Sequence, residues 1–138
     1  MTRRRQAPFV HTRARDVTAA FLTLAVIDVT LRTVGYRRVR AWLRRVDHGG
    51  AATPVHPSTL ASLTAAVDRA MAYYPRETMC LQRSATLTWL LRRVGVAAEL
   101  VIGCRHTPFY AHAWVEVDRV VVNDTPAVRD KYAELERL

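Results

Sequence analysis

Cys80, His112 and Asp124 are the residues of this chain whose types and neighbours could do covalent chemistry together. Cys80 stands in Met79-Cys80-Leu81-Gln82-Arg83-Ser84, at the start of a helical run to Val94. A helix N-terminus presents unpaired backbone N–H groups and partial positive charge, which favours a thiolate over a thiol and offers donors to an oxyanion. His112 opens the alternating stretch His112-Ala113-Trp114-Val115-Glu116-Val117, and Val120-Val121-Val122-Asn123-Asp124 reads as a second strand ending in a carboxylate. Cys, His and Asp thus follow one another in the order of a thiol-protease triad. In such a site Cys80 attacks a peptide carbonyl, His112 holds the proton and returns it to the leaving amine, and Asp124 orients the imidazole. The Cys80 N–H is the evident oxyanion donor. Gln82 comes after the nucleophile rather than before it and is given no part. Trp114, on the His112 side of its strand, either shields the imidazole or lines the substrate groove.

Two blander readings stand beside the triad. In one, Cys80 is a small buried residue, His112 a satisfied strand histidine and Asp124 a turn carboxylate. In the other, Cys80, Cys104, His106 and His112 bind a metal, but no Cys/His pair has zinc-finger spacing. The expectation is no metal and no cofactor, with Cys104 a passive core or loop thiol and His106 a loop histidine.

The elements that must position these residues can be read along the chain. Residues 1–11 are basic, polar and expected to fray. Val17, Phe21, Leu24, Ile27 and Leu31 recur at helical spacing, so a helix runs from about Arg13 to Thr33. Asp28 falls on or beside its apolar stripe and needs a partner, Arg32 one turn on or Arg83 beside Cys80. Gly35 ends this helix, and Tyr36 to Val46 forms a second, basic one. The stretch from His48 to Pro57 reads as a linker with His48 and His56 solvated. Ser58 caps a third helix that Pro75 stops, and Thr78 caps the Cys80 helix, which closes at Gly95. Small Ser84 and Ala85, one turn after Cys80, allow close packing on a sheet. Val96 to Gly103 is a strand, Cys104 to Tyr110 a loop, and Pro126 to Leu138 a short amphipathic helix. A two-residue turn at Asp118-Arg119 would put His112 and Asp124 on opposite faces of the sheet. For the two to meet, the spacing predicts a three-residue loop, Val117 to Arg119, or a bulge.

Composition bounds the remainder. The 138 residues suit one domain, organised as a basic helical layer and linker over 1–57 and a catalytic core over 58–138. Two cysteines are too few for a disulfide framework, and no signal-peptide layout opens the chain, so a reducing cytosol is expected. The net charge of +9 lies in the first third, where eleven Arg face Asp16 and Asp28. That surplus reads as a solvated or protein-docking surface. No nucleic-acid motif accompanies it, and the apolar run Ala19 to Leu31, interrupted by Asp28, is shorter than the ~20 residues that cross a bilayer. Contact with a membrane surface is a weaker alternative.

Cys80-Leu81-Gln82-Arg83-Ser84, the helix end Leu91-Arg92-Arg93-Val94-Gly95-Val96, the stretch Pro108 to Val117 and Val121-Val122-Asn123-Asp124 together resemble the transglutaminase-like leader peptidases of lasso-peptide biosynthesis. The likeness covers most of Ser58 to Asp124, and the helix around Ile27-Asp28-Val29 fits more loosely. The resemblance implies an α+β papain/transglutaminase-like core, a nucleophile helix on a small antiparallel sheet, beneath an N-terminal helical layer. It carries the triad onto Cys80, His112 and Asp124. It further implies removal of the leader from a ribosomally made precursor, with a separate leader-recognition protein and a macrolactam-forming cyclase as partners, the chain being the protease half of a split system. The basic N-terminal third is expected to dock that recognition partner or the leader. Arg119 departs from the glycine common in the family's hairpin turn. A transglutaminase or amidase would use the same triad, and a non-catalytic adaptor delivering the precursor would do without Cys80.

Overall fold

The computed structural model describes residues 12–46 and 54–138. The expected frayed start at 1–11 and His48 with most of the linker lie outside the described residues. Four helices precede the sheet: α1 (Ala14–Thr33), α2 (Tyr36–Arg45), α3 (Pro57–Tyr73) and α4 (Cys80–Arg93). Strands β1 (Ala98–His106), β2 (Phe109–Val117) and β3 (Val120–Val121) follow, then the single turn α5 (Val128–Lys131) and strand β4 (Ala133–Arg137). The antiparallel sheet has the order β3-β2-β1-β4, so the architecture is the expected α+β one.

Alternation along β1 and β2 divides the core into two layers. Ala98, Leu100, Ala113, Val115 and Val117 face the helices, where they meet Leu87 and Leu91 of α4, Val67 of α3, Ala20 and Ile27 of α1 and Leu43 of α2. Val101 and Trp114 face the other way and are covered by Val128 and Tyr132. The N-terminal helices are therefore part of the same core as the sheet, and burying their apolar stripes against α4 is what holds α4 in place. Gly35, at φ +93°, lets the chain turn from α1 directly into α2.

Several local expectations need correction. The third helix begins at Pro57, with His56 as its cap accepting the Ser58 N–H at 3.3 Å; a proline at the first helical position needs no N–H partner. Ser58 is thus one residue inside the helix; His56 is exposed, as expected, and its Nδ1 lies 2.6 Å from Ser58 Oγ. Met79, not Thr78, occupies the cap of α4, because Gln82 three residues later reaches back to the Met79 N–H at 3.2 Å. The expected loop 104–110 is a hairpin: Cys104, Arg105 and His106 pair with Ala111, Tyr110 and Phe109. Both sides of that projecting hairpin are exposed from Arg105 to Ala111, so the sequence lacks an in/out alternation there.

The C-terminal segment is helical only over α5, and β4 then pairs along β1. Its Ala, Glu, Leu and Arg residues favour helix locally. Tertiary pairing overrides that preference, since Arg137 spans Glu99 at 2.7 Å and Glu116 at 2.9 Å on neighbouring strands, and Leu138 exchanges backbone hydrogen bonds with Leu100.

Candidate active site

The nucleophile candidate is placed by its helix. Cys80 is the first residue of α4 and half-buried, and the Arg83 N–H returns to the Met79 carbonyl at 3.2 Å to close the first turn. The Gln82 N–H turns back to the Met79 side chain, and the N–H groups of Cys80 and Leu81 have no intrahelical acceptor and are the donors at the cysteine.

Behind this helix start lies a hub built on Asp28, buried at 1% exposure. Its Oδ1 accepts from Arg32 Nε at 2.8 Å and Gln82 Nε2 at 3.3 Å, and its Oδ2 accepts from Tyr74 Oη at 3.1 Å. Arg32 also donates to the Glu77 carbonyl at 3.4 Å. One carboxylate thereby grips the end of α3 through Tyr74, the turn at Glu77 through Arg32, and the start of α4 through Gln82. Of the two partners expected for Asp28, Arg32 is the one observed. Arg83 instead bonds Asp68 at 2.8 Å and the Asn123 carbonyl at 2.7 Å. Burial raises the Asp28 pKa, and the hydrogen bonds from Arg32, Gln82 and Tyr74 outweigh it, leaving the carboxyl below its ordinary value.

His112 and Asp124 meet, with Nε2 2.6 Å from Oδ2, although the loop is not the one expected. Val117 pairs with Val120 across a two-residue turn in which Asp118 and Arg119 have φ of 50° and 65°, a tight hairpin turn with two positive-φ residues. The alternation argument fails because β3 ends at Val121. The Val122 N–H still reaches the Val115 carbonyl, at 3.0 Å, but beyond it the Asn123 side chain takes over the ladder. Asn123 Oδ1 accepts the Val115 N–H at 2.8 Å, and its Nδ2 donates to Ser84 Oγ at 2.9 Å, which donates to the Ala113 carbonyl at 3.0 Å. With Arg83 on its carbonyl, Asn123 ties α4 to β2 and turns Asp124 toward the imidazole. Asp124 also accepts its neighbour's N–H, from Thr125, at 2.6 Å. Burial raises its pKa, but the hydrogen bonds of His112 and Thr125 and the charges of His112 and Arg83 bring it below the ordinary carboxylate value.

The other imidazole nitrogen, His112 Nδ1, is buried and has no hydrogen-bond partner among the described residues. The ring is flanked by Tyr132 at 5.1 Å, Trp114 at 6.2 Å and Tyr110 at 6.5 Å between centroids, all within about 30° of parallel. Trp114 is 2% exposed and donates to Glu116 Oε1 at 2.9 Å; it backs the imidazole and does not line the cleft. Cys80 and His112 line one cleft of about 810 Å³ with Leu31, Arg32, Met79, Ile102 and Ala113 among its walls. Nε2 is turned to a carboxylate, Nδ1 is the ring nitrogen without a partner among the described residues, and His112 and Cys80 line the same cleft.

Among the described residues no group of three or more His, Cys, Asp or Glu side chains is placed to hold a metal; Cys104 Sγ lies 4.0 Å from His106 Nε2 on the sheet's far hairpin. Sequence reasoning missed Asn123, Tyr132 and the hydroxyl of Ser84 as positioning groups. The one available signal was a polar Asn interrupting an apolar run directly before the carboxylate. Tyr132 reaches His112 only through the fold.

A family model described as the transglutaminase-like superfamily matches residues 21–137. A stretch of 52 residues is 50% identical to the microcin J25-processing protein McjB of Escherichia coli, covering 38% of this chain and 25% of that protein. No solved structure matches the chain.

Proposed function

This chain belongs to the transglutaminase-like superfamily, and from that premise we propose that it is a cysteine peptidase removing the leader from a ribosomally made precursor of the lasso-peptide kind. The observation that carries the chemistry is the His112–Asp124 pair at 2.6 Å, whose histidine lines one cleft with Cys80 at a helix N-terminus. The similarity to a microcin-processing protein supports the substrate class.

In this reading Cys80 Sγ gives its proton to His112 Nδ1 and attacks the scissile carbonyl carbon, forming a C–S bond. The carbonyl oxygen takes the negative charge, facing the free N–H groups at the start of α4. His112 Nδ1 then returns the proton to the amide nitrogen, the C–N bond breaks, and the amine leaves. Water attacks the thioester as His112 takes its proton, and the C–S bond breaks to give a carboxylate and the thiol. Asp124 holds the Nε2–H throughout, keeping Nδ1 as the exchanging nitrogen. The partners are the precursor, a leader-recognition protein and the macrolactam-forming cyclase.

The test is mass spectrometry of a candidate precursor incubated with this protein and a leader-binding partner. The wild type is expected to cut at one leader–core junction and Cys80→Ala not to cut. Equal cleavage by both proteins removes Cys80 from the chemistry, and an amine-linked product in place of a free carboxylate turns the reading to acyl transfer.

A further inference from the structure

The cleft does not end at Cys80. A second groove, of about 700 Å³, runs between α2 and β4, and Leu81 and Ile102 line both it and the cleft. Leu81 directly follows the nucleophile, so a chain held at Cys80 passes over Leu81 and Ile102 into the second groove. Its far wall carries Arg40 and Arg44 from α2, with Glu136 opposite.

The charges in this groove are not all matched. Glu136 is taken by Arg40 and by the Tyr36 hydroxyl, which lies 2.7 Å from it. Arg137 is committed to Glu99, Glu116 and Glu134. Arg44 makes no ion pair among the described residues and stands exposed at the groove wall. A groove that continues the cleft, has an apolar floor at Leu81 and Ile102, and keeps a guanidinium, Arg44, near Glu136 but outside ion-pair contact with it fits an extended peptide carrying a carboxylate.

We propose that the α2–β4 groove is an extended substrate subsite in which Arg44 takes a carboxylate of the precursor peptide on one side of the scissile bond. This rests on the peptidase reading and names what that site selects. It locates the function of the basic α2 in substrate choice at the cleft.

The experiment measures binding apart from cleavage. Fluorescein-labelled candidate precursor is titrated into Cys80→Ala protein, with and without Arg44→Glu, in the presence of the leader-binding partner, and anisotropy gives the Kd. Arg44→Glu is expected to weaken binding about tenfold, and replacing one Asp or Glu of the precursor by Lys is expected to restore it. If rescue comes only from amidating the precursor's C-terminus, the carboxylate is the terminal one. An unchanged Kd, or a loss that no precursor charge reversal relieves, overturns the subsite. Cleavage by Cys80-intact protein with an unchanged Kd for Arg44→Glu overturns the subsite alone. Absence of both cleavage and binding overturns the peptidase reading with it.

Discussion

At the scale of single residues, the site depends on which atom of each side chain is occupied. His112 uses Nε2 on Asp124, and its Nδ1 has no partner among the described residues, so residue 124 offers the ring both an acceptor that orients it and a charge beside it. Asp124→Asn keeps a carbonyl oxygen for the Nε2–H but loses the charge, and it is expected to lower kcat less than removal of the whole acceptor does. Asp124→Ala removes the acceptor and is expected to lower kcat by about 10²–10³-fold with little change in KM. Single-turnover cleavage of the precursor by both variants measures this, and equal losses would contradict the acceptor argument. Gln82 illustrates the same accounting: its amide is spent on Met79 and Asp28.

At the scale of elements, the start of α4 is held by α1 and α3 through Asp28. Asp28→Ala leaves Arg32, Gln82 and Tyr74 without their shared acceptor and is expected to cost about 2–3 kcal/mol. Because the folded pKa of Asp28 lies below its ordinary value of 3.8, its stabilisation is present above that pH and is lost as pH falls through the folded value. Urea unfolding is therefore expected to show the full wild-type advantage at neutral pH and a shrinking one in acid below the ordinary carboxylate range. A difference constant with pH would mean that the ionised carboxylate is not what the hub uses. In the β2–β3 hairpin, the turn residues Asp118 and Arg119 accept positive φ because a two-residue turn matches strand twist.

At the scale of the whole molecule, the C-terminal segment closes the face of the sheet opposite the helices and brings Tyr132 onto His112. Gly103 permits this closure, since a Cβ there would lie 2.9 Å from Trp114 Cη2 and 2.9 Å from Tyr132 Cβ. Gly103→Ala is expected to cost about 1–3 kcal/mol and to lower kcat as well, by displacing the rings that back the imidazole. The urea midpoint and kcat of the one variant test both parts; loss of stability with unchanged kcat would separate the aromatic stack from the chemistry. Among the described residues no helix is long and apolar enough to cross a membrane.

The sequence by itself determined the four helices that precede the sheet, since Leu24 and Ile27 or Leu87, Leu90 and Leu91 mark their buried stripes at a spacing set by backbone geometry. It also determined which residues are candidates for the site, because Cys80 at a helix start and His112 at the head of an alternating run are local patterns. Only the tertiary structure decided how His112 and Asp124 meet: β3 stops at Val121, and the Asn123 side chain replaces the ladder with bonds to β2 and α4. It likewise decided that the charged C-terminus is a strand, because the pairing that stabilises β4 comes from β1, some thirty residues earlier in the chain. Periodicity reports what a segment buries, whereas the partner that satisfies its backbone lies elsewhere in the sequence.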